Sequence, residues 1–277
     1  MKLQYILIAV LLSYTCGIAQ LKIPNLSPSA TAIQKIGLTT AEINYYRPSA
    51  RGRTVFGNQG LLPFGEMWRT GANNATKITF SDPVFISKKP INAGSYTIIT
   101  TPREKDWQIQ WYPYESTNWN SYINKEAIIS INIPVEKTNS YKESLSIHFE
   151  DITLESANLN IHWANTRVKI PITVDEKESI LKSIDKTLAG PSPFDYFRAA
   201  VYLHETKTDL ALALKYIQKV TNSDKALFFQ VTREALILKD LGKNKEAKQI
   251  AKRGLALSKK AKNNDFIRLN QNMIETL

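Results

Sequence analysis

Two different spacings of apolar residues divide the chain. Between about residues 26 and 174 the apolar positions come in short runs of β-branched and aromatic side chains, broken by Gly, Pro, Asn and Asp. Within many runs they alternate with polar residues. A period of two places successive side chains on opposite faces of a pleated strand, one face buried and the other polar. Strands are therefore expected over 41–46, 77–80, 95–99, 107–112, 128–133, 145–149, 159–163 and 168–174. With no helical stretch between them, the spacing predicts an all-β antiparallel sandwich or jelly-roll-like domain over residues 27–174.

After residue 174 the period becomes helical. Apolar residues recur three and four apart over 179–188, 194–205, 210–220, 226–241, 245–258 and 266–277. The breaks are Gly190-Pro191, Thr206-Lys207-Thr208, Asn222-Ser223-Asp224, Gly242 and Asn263-Asn264. Six helices joined by short turns predict antiparallel helical hairpins and an all-α second domain over 175–277. A repeat of 34 residues runs faintly through it, relating Ala213 to Ala247, Ile217 to Ala251 and Val220 to Gly254. That is the tetratricopeptide period, and the small residues stand where paired helices approach closely. The second domain thus resembles tetratricopeptide repeats, although Val231 occupies a position where the pattern has a large aromatic.

Residues 1–19 read as a signal peptide: Lys2, the apolar run over 6–12, then Gly17-Ile18-Ala19 with small residues at −3 and −1, so that cleavage falls before Gln20. The apolar run is far shorter than the roughly 18 residues that cross a bilayer, and no later stretch reaches that length without charge, so no transmembrane segment is expected. Cys16 is the sole cysteine. A lipid-anchored start would need a small residue before it and a leucine three before it. Thr15 and Ser13 stand there instead, which favours simple cleavage. Export places the protein in the periplasm or at the cell surface.

Without Cys16 the mature chain has no disulfide, no thiolate metal site and no cysteine nucleophile, so its stability rests on burial. The formal charge is +11, which suits an anionic partner. Export argues against nucleic acid, as does the lack of aromatic interleaving among Lys243, Lys245, Lys248, Lys252, Arg253, Lys259, Lys260 and Lys262. That run is expected to be a solvated helix face, weakly attractive to anionic lipid or polysaccharide.

The densest unusual chemistry lies between Tyr45 and Thr79. It comprises Arg47-Pro48-Ser49, Gly52-Arg53, Phe56-Gly57, Pro63-Phe64-Gly65, Trp68-Arg69-Thr70-Gly71-Ala72-Asn73 and Ala75-Thr76. Together with Ile36-Gly37, Thr39, Ala93-Gly94-Ser95-Tyr96 and the string Trp163-Ala164-Asn165-Thr166-Arg167-Val168, this resembles the domain-of-unknown-function family 2911, exported proteins mostly of Bacteroidetes. The resemblance covers most of residues 27–174 and implies lineage and export, with no reaction attached. One departure is the longer link Asn58-Gln59-Gly60-Leu61-Leu62.

Read for chemistry, the glycines and prolines of this segment build a platform of turns. On it Arg47, Arg53 and Arg69 offer planar forks to a carboxylate, a phosphate or sugar hydroxyls, Trp68 offers a stacking face, and Thr70, Asn73 and Thr76 are neutral donors. Arg47, Arg53, Trp68, Arg69 and Asn73 are expected around one pocket. The plainer reading is that the arginines tie loops to backbone carbonyls or to acids such as Glu66 and Asp82, while Trp68 fills core.

Other signals are weaker. His148 and His162 alternate with apolar neighbours and are expected on polar, solvated strand faces, and no third ligand gives them a metal site. No metal and no cofactor are expected, and no catalytic fingerprint of the common kinds is present. Trp107, Ile109 and Trp111 share a face and read as core, whereas Tyr112, Tyr114 and Trp119 flank a proline loop, where core packing is the favoured reading and exposure would suit a sugar ring. The leading functional expectation is a binding or scaffold protein, with an anionic or carbohydrate small ligand on the β domain or a protein partner on the helical domain. The alternative is a glycan or ester hydrolase using two of Glu66, Asp82, Glu115 and Asp151.

Overall fold

The computed structural model describes residues 23–187 and 192–277. The expected signal peptide, its cleavage before Gln20, Cys16 and the Gly190-Pro191 break lie outside those residues. The chain forms two compact units, one ending at Val174 and the other spanning Asp175–Leu277.

The first unit is built of antiparallel strands: β1 (Ser29–Ile36), β2 (Thr39–Tyr46), β3 (Lys77–Phe80), β4 (Val84–Ile86), β5 (Lys89–Ile91), β6 (Gly94–Pro102), β7 (Asp106–Pro113), β8 (Ile129–Pro134), β9 (Glu136–Glu150) and β10 (Ser156–Thr173). They form a six-stranded sheet in the order β1-β2-β3-β6-β7-β8 and a four-stranded sheet in the order β5-β4-β10-β9. Alternation decides which side chains enter the core. On β7, Trp107, Ile109 and Trp111 are buried completely, as are Ile43 on β2 and Ile98 on β6; Leu159, Ile161, Val168, Ile170 and Ile172 join the same apolar cluster from β10. Part of the opposite face of β6 and β7 is apolar too. There Ile99 and Tyr112 are capped by Tyr122 from a 3-10 turn, Trp119–Tyr122, with the Tyr112 and Tyr122 rings 5.7 Å apart.

The expected strands over 159–163 and 168–174 are one element, β10, and it doubles back on itself. The Val174 N–H donates to the Glu155 carbonyl at 2.9 Å, so the two ends lie side by side, whereas eighteen extended residues would span about 60 Å. The break is at Ala164, where φ is 50° and the pairing with β9 shifts register on both sides. It also switches parity: core residues are odd-numbered before it (Leu159, Ile161, Trp163) and even-numbered after it (Val168, Ile170, Ile172).

The second unit holds α1 (Lys177–Thr187), α2 (Pro193–Glu205), α3 (Leu210–Thr221), α4 (Phe228–Asp240), α5 (Asn244–Lys260) and α6 (Asn264–Thr276). Local chemistry sets the starts. Ser192 and Asp195 form a reciprocal capping box before α2, Asp209 caps α3 through the Leu212 N–H, and Asn263 caps α6 through that of Phe266. Gly242, at φ 74°, ends α4 in the left-handed conformation that relieves a helix C-terminus. The 34-residue pairs Ala213/Ala247, Ile217/Ala251 and Val220/Gly254 are all buried. At Gly254 the packing leaves no room for a side chain, since an added Cβ would sit 2.6 Å from Asn270 Oδ1 and 3.1 Å from Thr232 Oγ1.

His204 on α2 is buried between two charged groups of α4. Arginine can only donate, so Arg233 Nη1 donates to His204 Nδ1 at 2.9 Å, and the ring proton sits on Nε2, 3.2 Å from Asp240 Oδ2. Burial, and then Arg233, lower the His204 pKa below its ordinary value of 6.5, against the smaller opposing pull of Asp240. A folded-state pKa below the unfolded one means that the unfolded chain takes up the proton first. Stability is thus full above about pH 6.5 and falls as pH drops below it toward the folded pKa. Thermal unfolding of the helical unit between pH 7 and pH 5 is expected to show this loss, and His204→Gln to flatten it. An unchanged slope in the variant would assign the effect elsewhere.

Candidate functional site

Three loops of the first unit converge. The segment after β2 is tied to β9: Ala50 N–H donates to the Glu143 carbonyl, Leu145 N–H to the Pro48 carbonyl, and the Ser49 and Ser144 hydroxyls lie 2.6 Å apart. The link 54–62 closes on itself through Leu62 N–H to Val55 O and Gly57 N–H to Leu62 O. Trp68 pairs with Thr100 of β6 in both directions, at 2.7 and 2.8 Å, so that the Trp68-Arg69 strand stub prolongs the sheet beyond β3.

Between these loops lies an open pocket of about 370 Å³, whose wall includes Arg51, Arg53, Trp68, Arg69 and Trp163. Trp68 is buried, stacks on Trp163 with centroids 5.9 Å apart, and donates its Nε1–H to the Gly71 carbonyl at 2.9 Å. Arg53 spends Nε on the Ala50 carbonyl and one Nη on that of Ser49. Arg51 donates one Nη to the Leu26 carbonyl, and its backbone N–H binds the Glu143 carboxylate. Arg69 has its guanidinium carbon 6.0 Å from the Trp119 ring centroid, and its Nε is buried without a hydrogen-bond partner. Burial lowers its pKa from the ordinary arginine value. Among the described residues, no ion pair involves any of these three arginines.

The sequence model of the family Protein of unknown function (DUF2911) matches residues 27–172, more than half of the chain. The chain belongs to this family. The DUF2911 match contains every strand of the first unit except the last residue of β10, Thr173, and every pocket-lining residue except Leu26. No curated protein and no solved structure matches the chain.

Of the seven candidate ligand residues, the DUF2911 unit brings Arg53, Trp68 and Arg69 to the pocket wall. Arg47 and Asn73 are not in the wall. The Arg47 Nε–H donates to the Leu145 carbonyl at 2.9 Å, which fastens the loop to β9, and Asn73 reaches the Ser27 carbonyl at 3.4 Å from a left-handed backbone. Thr70 and Thr76 are fully buried and hold the loop together instead of facing a ligand. The Thr70 hydroxyl donates to Ile98 O, and that of Thr76 to Thr70 O. Two wall residues were not singled out as ligands from the sequence, Arg51 and Trp163. Trp163 stands inside a motif string and Arg51 between two of them, yet neither spacing nor residue type distinguishes them from their neighbours.

The candidate carboxylates of the DUF2911 unit have separate local partners. Glu115 pairs with Lys125; Asp151 accepts from Asn158 and Lys169, and these bonds, Asn158 first, lower its pKa; Asp82 accepts from Ser81. Glu66 is exposed beside the pocket loops. His162, expected to be solvated, is buried: the doubling of β10 encloses its face, and its Nε2 lies 3.0 Å from the Thr138 hydroxyl. Burial lowers its pKa, assisted by Lys142 and Arg167. His148, half-buried, lies 2.6 Å from Glu150. Tyr112 is buried, and Tyr114 and Trp119 are half-buried under the loop they belong to.

Proposed function

We propose that this DUF2911 member is an exported binding protein whose β unit holds a small anionic or acidic-sugar ligand in the arginine-walled pocket. The observation that carries this reading is that Arg51, Arg53 and Arg69 share one pocket wall and that, among the described residues, no carboxylate pairs with any of their guanidinium groups, Glu143 being bound by the Arg51 backbone N–H. A partly desolvated cation with no counter-charge is stabilised when an anion binds beside it, and guanidinium forks suit carboxylate and phosphate oxygens. Trp68 and Trp163 supply an apolar wall for a ring. Export rests on the sequence of residues 1–19. We further infer that the helical unit is a tetratricopeptide-like extension, supported by the burial of all three pairs of 34-residue equivalents.

Tryptophan fluorescence and calorimetry with inorganic phosphate and with glucuronate test the pocket. Arg53→Ala and Arg69→Ala are each expected to weaken binding by roughly 10- to 100-fold, the span that one charge-assisted hydrogen bond of about 1.5–3 kcal/mol gives. Arg47→Ala should lower stability and leave affinity near that of the parent, because its guanidinium is spent on Leu145. Equal affinity in the parent and in both wall variants would remove the reading.

A further inference from the structure

A second feature of the molecule lies outside the pocket and the DUF2911 match, on α5. At 100° per residue, Lys245, Lys248, Lys252 and Lys259 fall within a sector of about 60°, in a row about 21 Å long. The buried residues of α5, namely Ala247, Ala251, Gly254 and Ser258, share a different sector. Lys245, Lys252 and Lys259 are exposed and Lys248 is half-buried. The helix has one acid, Glu246, and it lies off the row, 3.6 Å from Lys243. Among the described residues no ion pair involves any of the four lysines. Like charges three, four and seven residues apart repel, so a row of this kind costs folding energy that nothing in the helix returns.

From this geometry we propose that the row is a docking surface for a linear acidic polysaccharide, one strand lying along the helix with its carboxylates against successive lysines. The shape of the surface selects the partner. A bilayer-seeking helix carries large apolar side chains flanking its cations that enter the acyl boundary; here the apolar residues beside the row are Ala256, exposed, and Leu255, half-buried, too little surface for that, and α5 has no Trp, Tyr or Phe. A single-stranded nucleic acid is held largely by stacking on aromatics, and those are missing from the same face. What remains is a flexible chain whose charges recur at sugar-length intervals and which needs cations in a line. Lysine, a point charge on a mobile stem, suits such a fuzzy match better than a bidentate fork would. The interaction is electrostatic and salt-dependent. Taking about 0.7 counterions released per contact, four contacts give a slope near −3 in log affinity against log salt, so a fourfold rise in salt lowers affinity roughly 50-fold.

The test uses the full chain, polygalacturonate as the acidic polymer, neutral dextran as its control, and vesicles of equal parts phosphatidylcholine and phosphatidylglycerol. Reversing Lys245, Lys248, Lys252 and Lys259 to Glu is expected to abolish polygalacturonate binding while circular dichroism and the unfolding midpoint stay near those of the parent. A second variant reverses four scattered exposed lysines, Lys88, Lys105, Lys207 and Lys225, which changes net charge by the same amount. It should keep at least a third of the affinity. Filling the pocket with saturating glucuronate at matched ionic strength should leave polymer binding to the parent unchanged, which separates this surface from the pocket. Equal losses in the row and scattered variants would reduce the effect to net charge and overturn the proposal. So would loss of polymer binding when glucuronate fills the pocket, or binding to the vesicles in preference to the polymer.

Discussion

Trp107→Ala is expected to remove about 3–5 kcal/mol of stability from the β unit, the usual cost of deleting a large buried aromatic. Domains are stable by about 5–15 kcal/mol, so the variant should unfold at a much lower denaturant concentration and populate unfolded chain at ordinary temperatures. Trp107 is fully buried and sits at the centre of the aromatic cluster, with ring centroids 5.2 Å from Phe56 and 6.0 Å from Trp68. Its Nε1–H has no partner. Replacement by phenylalanine therefore loses volume but no hydrogen bond. Trp68→Phe makes the contrast, because it also frees the buried Gly71 carbonyl from its 2.9 Å bond to Nε1, a further loss of about 1 kcal/mol. Chemical denaturation of the three variants checks the order. A Trp107→Ala protein within about 1 kcal/mol of the parent, the worth of one hydrogen bond, would mean that the cluster is not the core of the unit.

Much of this architecture is legible from residue order alone, and the parts that are not have physical reasons. Helix starts are written locally: Ser192-Pro193 with Asp195, Asp209 and Asn263 each satisfy the first free N–H groups of a helix, so expected and observed helices differ by only one or two residues at most ends. The core of β7 follows from its period. Strand β1 escaped because its alternating set is small or turned to solvent: Ala30 and Ala32 are half-buried, and Ile33 is 63% exposed. The hairpin of β4 and β5 escaped because its two-residue turn is Ser87-Lys88, both with positive φ. Such turns are normally announced by Asn-Gly or Asp-Gly. The doubling of β10 leaves a trace in the parity switch from Trp163 to Val168, but a bulge or a separate pair of strands would leave the same trace.

The site divides along the same line. That the segment 47–76 is built of turns is local information, carried by its glycines and prolines. Which arginine faces a ligand is not. Arg47 and Arg53 both have backbone carbonyls within reach, yet the carbonyl that takes Arg47 belongs to Leu145, 98 residues away, and only closure of the sandwich brings it there. Thr70 and Thr76 are donors of the right kind for a ligand, and tertiary burial spends them on the loop's own carbonyls. Arg51 reaches the wall because its backbone is left-handed, φ 52°, a conformation its side chain does not advertise.

The link that departs from the family pattern holds the most sharply defined packing in the DUF2911 unit, and Gly60→Ala is the substitution that exposes it. A Cβ on Gly60 would stand 2.8 Å from the Val55 carbonyl oxygen, 2.9 Å from the Phe56 carbonyl carbon and 3.0 Å from that of Val55. All three are backbone atoms, so no rotamer change relieves the overlap and the link itself must open. Opening it breaks the bonds from Gly60 N–H to Gly57 O and from Leu61 N–H to Thr54 O. It also displaces Phe56, which packs on Trp107 and Trp163, and Leu61 and Leu62, which line the pocket. Overpacking of this kind costs about 1–3 kcal/mol, and rigid backbone neighbours place it at the upper end. Gly52→Ala serves as the comparison. Gly52 has φ 72° and open space around its missing Cβ, so its replacement meets only the left-handed strain of about 1–2 kcal/mol and no collision. Gly60→Ala is therefore expected to lower both the unfolding midpoint and the affinity for glucuronate, whereas Gly52→Ala lowers mainly the former. A Gly60→Ala protein that unfolds at the parent midpoint would show that the link is looser than these distances require.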